Sequence, residues 1–252
     1  MTYCLAINVR DGFVLCSDSR TNAGTDNVSV YSKMFAFSWP GDRFFAVLSS
    51  GNLATTQAVV KKLQSDAPSG MVPNLSTVQS MQEAADYVGM VSTQLQKVHS
   101  SRDMGSTNFE STFILAGQIT GQTPEMFMIY PQGNYIHESA EHPFLQIGEI
   151  KYGKPILDRV IHRKLGLEPA ARCALVSMNS TIRSNLTVGP PVELLIYRRN
   201  ALDGGKRLYY REDDPFFREL SDKWSQGLFQ ALESLPHFDW EPQQHVMPLS
   251  QD

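Results

Sequence analysis

Apolar positions along the first fifty residues fall into short runs of strand length. Residues 3–9 (Tyr-Cys-Leu-Ala-Ile-Asn-Val) and 13–18 (Phe-Val-Leu-Cys-Ser-Asp) are β-rich runs divided by Arg10-Asp11-Gly12. Asp-Gly between two such runs is the strongest short-range hairpin signal. A loop containing glycine and asparagine, 21–27, leads to two further strands over 33–38 and 43–49, which turn at Pro40-Gly41-Asp42. Past Gly51 the spacing lengthens, and Leu53, Ala54, Gln57, Ala58, Val59 and Leu63 recur at helical intervals. After a break containing proline and glycine at 67–73, Ser76 is expected to cap a longer helix. Its apolar face is Val78, Met81, Ala84, Ala85, Val88, Val91 and Leu95.

Strands return at 112–118, 126–130 and 134–137, followed by helices at 154–165 and 168–178 on either side of Gly166. A last strand pair, 192–197 and 206–211, turns through the glycine-containing loop 200–205. The tail from 215 to 235 reads as a helix carrying Phe216, Phe217, Leu220, Trp224, Leu228, Phe229 and Leu232, expected to dock on a partner subunit or on its own core. Strands, two helices, strands, two helices and strands again describe an α+β chain. Two stacked antiparallel sheets with helix pairs on both outer faces, a four-layer αββα sandwich, suit that order better than a parallel doubly wound sheet. The 252 residues are expected to form one domain over 1–252, with 213–252 as a C-terminal helical extension.

Composition narrows the function classes only modestly. The net charge of −4 is spread along the chain without a basic stripe, so nucleic acid is not an expected partner. Three cysteines without CxxC spacing fit a reducing compartment, and the cytoplasm is the expected location. Neither a signal peptide nor an apolar run of membrane-spanning length is visible, so no membrane association is expected. Six histidines include no HxxxH pair, and no GxxxxGKS or GxGxxG occurs, so neither a metal site nor a cofactor is expected.

Chemistry concentrates at the strand ends. Thr2 is small enough for Met1 to be trimmed in front of it, which would put a hydroxyl beside a free α-amine. A free α-amine ordinarily titrates at about 7.7–8.0, so it is partly neutral near pH 7 and able to act as a base. Asp18 ends the second strand beside the start of the first, and Lys33 opens the third. The lysine would supply a positive charge for an alkoxide-like state, and the carboxylate would hold it. Ser50 and Gly51 stand where a strand gives way to a helix, a place for backbone N–H groups to form an oxyanion hole. Singly, each residue has an ordinary use: an N-terminal threonine that permits methionine removal, a turn-capping or Arg20-paired aspartate, a solvated lysine, a helix-entry glycine. Their conjunction carries the reading. Cys4 and Cys16, on neighbouring strands, read as small buried hydrophobes.

Thr at the mature start, Asp18-Ser19-Arg20, Ser32-Lys33-Met34 and Ser50-Gly51-Asn52-Leu53-Ala54 resemble the proteasome β-subunit family, and within it the bacterial Anbu group related to HslV. The stretches 144–158 and 183–191 are similar too, so the resemblance extends to about Tyr197. It implies the N-terminal-nucleophile hydrolase fold, threonine peptidase activity and self-assembly into a ring or open helical particle. Thr2 would be nucleophile and base, Asp18 and Lys33 its activators, and Ser50 and Gly51 the oxyanion region, with Ser19 and Arg20 in support. HslV works with an ATP-driven unfoldase, and no feature of this sequence identifies one.

Two family elements differ. Where many members have Arg-Asp-Ser near the N-terminal amine, this chain has Arg183-Ser184-Asn185, and a Gly-Ser element reads Gly148-Glu149. Glu149 either supplies the carboxylate that Ser184 does not, or is a subunit-interface charge. The resulting readings are a peptidase, an amidase for small non-peptide amides, or a scaffold subunit with little activity of its own.

Overall fold

The Asp11-Gly12 turn closes β1 (Tyr3–Val9) onto β2 (Gly12–Asp18), with Val9 opposite Gly12 and Cys4 opposite Ser17. The computed structural model describes residues 1–22, 28–70, 73–103 and 105–240. Residues 23–27 of the expected loop, 71 and 72 of the expected break, and 241–252 of the expected extension lie outside it.

The remaining elements are β3 (Arg20–Asn22), β4 (Val28–Val30), β5 (Met34–Trp39), β6 (Arg43–Gly51), α1 (Leu53–Asp66), α2 (Met81–Arg102), β7 (Ser111–Ile119), β8 (Glu125–Ile129), β9 (Tyr135–His137), β10 (Phe144–Gly148), α3 (Lys154–Val160), α4 (Leu167–Ser184), β11 (Val192–Arg198), β12 (Lys206–Tyr210) and α5 (Pro215–Glu233). One five-stranded sheet runs β10-β1-β2-β11-β12 and the other β5-β6-β7-β8-β9, all neighbours antiparallel; β3 and β4 form a separate small hairpin.

Both faces of the central strands are covered, which explains why they read as unbroken apolar runs instead of the alternation usual for antiparallel sheets. Tyr3, Leu5, Ile7 and Val9 of β1 face α3, α4 and the start of α5, while Cys4 and Ala6 face the second sheet. In β6, Phe45 and Val47 point to α1 and α2, and Phe44, Ala46 and Leu48 point inward. The layers are therefore helix, sheet, sheet, helix. Phe13 and Tyr197 of the first sheet stack with ring centroids 4.6 Å apart, and Tyr197 stacks on Phe44 of the second at 4.9 Å, binding the sheets near the β1–β2 turn.

Several local expectations need correction. The cap of α2 is Ser80, whose hydroxyl accepts the Glu83 N–H at 3.1 Å; Ser76 instead closes a turn on the Asn74 side chain at 2.6 Å. Helix α3 stops at Val160, several residues early, and α4 runs on to Ser184. The 144–148 segment is a strand: β10 lies against β1, with Tyr3 opposite Gly148, so β1 is an interior strand. Helix α5 buries Phe217 against the first sheet's helices, and Leu228, Phe229 and Leu232 beyond it are exposed. Among the described residues no helix is long and apolar enough to cross a membrane.

Truncating the ring that links the sheets, Phe44→Ala, is expected to cost about 3–5 kcal/mol. Urea unfolding at fixed protomer concentration measures it.

Candidate functional site

The β1–β2 ladder carries Tyr3 and Asp18 to the same end of the first sheet, and the contact between them is direct: the Tyr3 N–H donates to Asp18 Oδ1 at 3.0 Å. Tyr3 is itself anchored through its side chain, whose hydroxyl lies 2.7 Å from Ser177 Oγ and accepts from Gln146 Nε2 at 2.6 Å. The chain start is thereby held on the sheet. Asp18 is fully buried and serves three donors, adding Lys33 Nζ at 2.7 Å on Oδ1 and the Gly189 N–H at 3.3 Å on Oδ2. Burial raises the pKa of its carboxyl, against the pull of the Lys33 ammonium. Lys33, also buried, gives a second hydrogen bond to the Arg20 carbonyl at 2.6 Å. These two hydrogen bonds fix the ammonium beside the end of β2, so it is not the solvated charge that its type alone would imply.

Thr2 lies just outside β1, and its carbonyl accepts the Glu149 N–H at 2.7 Å. Gly148 makes that approach possible: its φ is +84°, and a Cβ there would collide with the Thr2 carbonyl. Ser50 Oγ stands 3.2 Å from where that Cβ would be, which brings the end of β6 against the same segment. Gly51 has a φ of +115° and no room for a Cβ beside the Glu110 carbonyl; Asn52 then caps α1, accepting the Thr55 N–H at 3.2 Å. Ser50 and Gly51 thus sit between the chain start and a helix N-terminus, whose partial positive charge favours an anion.

The expected supporting residues separate. Ser19 is buried and donates to Glu193 Oε1 at 3.4 Å; Arg20 packs on Gly189 and donates to the Leu186 carbonyl at 2.9 Å. Ser184 is exposed at the end of α4, whereas Asn185 Nδ2 reaches Glu149 Oε2 at 3.0 Å. Glu149 is buried. The α-amine of Met1 has its pKa lowered, first by burial and then by Lys33, with Asp18 and Glu149 pulling it upward. Among the described residues, Lys33, Asp18 and Glu149 are therefore the charges that act on the chain start. Cys4 donates weakly to the Ser49 carbonyl at 3.7 Å, and burial, followed by Asp18, pushes its thiol well above its usual pKa.

Three further contributors have little sequence signal. Gly189 donates to Asp18 and accepts the Ser19 and Arg20 N–H groups at 3.3 and 3.2 Å. Glu193 is a buried carboxylate within β11, and Arg207 on β12 donates to its Oε2 at 2.9 Å. A charged residue in an otherwise apolar strand was the one available hint of the last pair.

An ion pair this deeply buried costs most when only one partner is removed. Asp18→Asn and Lys33→Met are each expected to destabilise by about 3–5 kcal/mol, and the double variant by less than the two together. Denaturant midpoints at fixed protomer concentration test this, and full additivity would contradict the coupling.

No family model matches the chain, and neither does any curated protein. Solved structures do. The helical assembly of the Anbu complex from Pseudomonas aeruginosa is 43% identical over 97% of this chain and 100% of its own, with a TM-score of 0.90. Anbu (ancestral beta-subunit) from Yersinia bercovieri is 41% identical over 94% and 99%, with a TM-score of 0.89. An Anbu Gly-1 mutant from Hyphomicrobium sp. strain MC1 is 42% identical over 95% and 100%, with a TM-score of 0.88. Identity at this level, sustained over nearly the full length of both partners together with the four-layer architecture, means that the chain belongs to the Anbu family of proteasome β-subunit-like proteins with the N-terminal-nucleophile hydrolase fold.

Proposed function

We propose that this chain is a threonine peptidase or amidohydrolase subunit that acts after Met1 is removed, within a particle of identical subunits. The observation that carries the reading is the Asp18 carboxylate, which holds both the Tyr3 N–H and the Lys33 ammonium at the start of the chain. The freed amine of Thr2 takes the proton from its own Oγ as Oγ attacks a substrate carbonyl carbon. Lys33 offsets the negative charge, and backbone N–H groups of Ser50 or Gly51 receive the oxyanion. The amine returns the proton to the leaving nitrogen as the C–N bond breaks. Water then releases the acyl group from Oγ by the same steps in reverse order.

Glu149, supported by Asn185, is the second carboxylate near that amine, in place of the aspartate found in many relatives of the proteasome β type. Assembly draws support from the helical Anbu complex of Pseudomonas aeruginosa. A heterologous interface produces a closed ring or an open helix according to its rotation. An unfoldase partner and a cytoplasmic location are consistent with this role. The division into one domain over 1–252 with an extension from 213 is part of the same proposal.

Intact mass of the purified particle is expected to lack Met1, and Thr2→Ala, which still permits methionine removal, is expected to lower turnover of fluorogenic peptide amides at least about 1000-fold. Equal turnover by Thr2→Ala would defeat the threonine mechanism, and turnover at background in both proteins would leave a scaffold subunit as the reading. A second measurement addresses Glu149. Its negative charge pulls the pKa of the Met1 amine upward and is expected to act the same way on the Thr2 amine freed next to it. The base is the neutral amine, so Glu149→Gln is expected to move the acid limb of the kcat–pH profile to lower pH. A limb that stays in place or moves up would remove Glu149 from the amine's surroundings.

A further inference from the structure

We propose that Arg207, held by the buried carboxylate of Glu193, is a positioning residue that sets the place of the Lys33 ammonium. This inference rests on the reading of Thr2, Asp18 and Lys33 above. Asp18 ends β2 in the first sheet, whereas Lys33 immediately precedes β5 in the second. Their 2.7 Å contact therefore crosses between sheets that share no strand ladder, and any slip of one sheet over the other at this end changes it directly.

Arg207 makes another polar crossing at the same end. From β12 in the first sheet its Nη2 donates to Glu193 Oε2 at 2.9 Å and to the Met34 carbonyl at 3.2 Å, and Met34 is the residue after Lys33. Glu193 is tied to the other side of the ion pair. It lies opposite Ser17 in the β11–β2 ladder, and its Oε1 accepts from Ser19 Oγ at 3.4 Å. The contacts close a ring: Asp18 to Ser19 along the chain, Ser19 to Glu193, Glu193 to Arg207, Arg207 to Met34, Met34 to Lys33 along the chain, and Lys33 back to Asp18.

The exposures distinguish positioning from plain stabilisation. The Glu193 side chain is 2% exposed and the Arg207 side chain 43%. A guanidinium open to water adds little to stability through its charge. Its geometric effect is larger, because one nitrogen with two N–H bonds fixes a carbonyl of one sheet against a carboxylate of the other. Misplacement of a catalytic group by on the order of 1 Å costs about 100-fold in rate.

The test compares wild type, Thr2→Ala, Arg207→Met, Arg207→Lys and Glu193→Gln as assembled particles on the same fluorogenic peptide amide. Arg207→Met is expected to lower kcat roughly 10- to 100-fold with KM within twofold of wild type, while Arg207→Lys, which keeps a cation able to donate twice, recovers most of it. Retention of wild-type kcat by Arg207→Met, or a change in KM alone, would overturn the positioning role. If Arg207→Met fails to assemble, Glu193→Gln decides: it keeps the side chain's volume and an acceptor but loosens the hold, so an unchanged kcat refutes the proposal and a several-fold loss at constant KM supports it. Absence of Thr2-dependent turnover in wild type would defeat the underlying reading and this inference together. Thr2-dependent turnover that Arg207 and Glu193 do not influence would defeat this inference alone.

Discussion

A carboxylate without access to water organises this end of the molecule. Asp18 is an ionisable group at the junction of two sheets, and removing its charge from water is costly unless donors replace the lost solvent. The Tyr3 and Gly189 N–H groups and the Lys33 ammonium do so, each from a different part of the chain. The start of β1, the segment before β5 and the approach to β11 converge because each supplies something that Asp18 requires. At the far end of the sheets direction comes from Gln118 of the second sheet, which accepts from the Tyr197 hydroxyl at 2.9 Å; at the chain-start end it comes from Asp18 and its donors.

Around that pair the packing is arranged for close approach. Gly148 lets β10 come against the Thr2 carbonyl, Gly51 lets β6 turn into α1, and Ser50 falls between them. The aromatic stack of Phe13, Tyr197 and Phe44 holds the sheets together at the end opposite the chain start, leaving their register at the chain-start end to polar contacts. Lys33–Asp18 and Arg207–Met34 are two such contacts, made by side chains from opposite sheets.

Much of the local structure is legible because it depends on neighbours in sequence. The Asp11-Gly12 hairpin, the strand over 3–9 and the entry to α1 after Gly51 follow from turn chemistry and spacing. Local signals mislead where two of them compete. Ser76 and Ser80 are both serines ahead of an apolar helical face, with Gln79 and Glu83 respectively three residues on, so the capping-box pattern fits either and only the structure places the cap at Ser80. Strand β10 is five residues long and borders Pro143, too short for its alternation to stand out before its partner β1 is known.

The same division holds for the candidate site. Sequence alone singled out Thr2, Asp18, Lys33, Ser50 and Gly51, because hairpin geometry and family pattern place them at strand ends. It also marked Glu149 as a departure from that pattern without locating its partner. Only the tertiary structure joined Glu149 to Asn185, left Ser184 exposed, and brought Gly189, Glu193 and Arg207 to the Asp18–Lys33 pair. Sequence patterns report which way a side chain faces within its own strand or helix. Which strands become neighbours, and which sheet edge lies over which, is decided by burial of whole faces at once, and that leaves no signature at the individual residue.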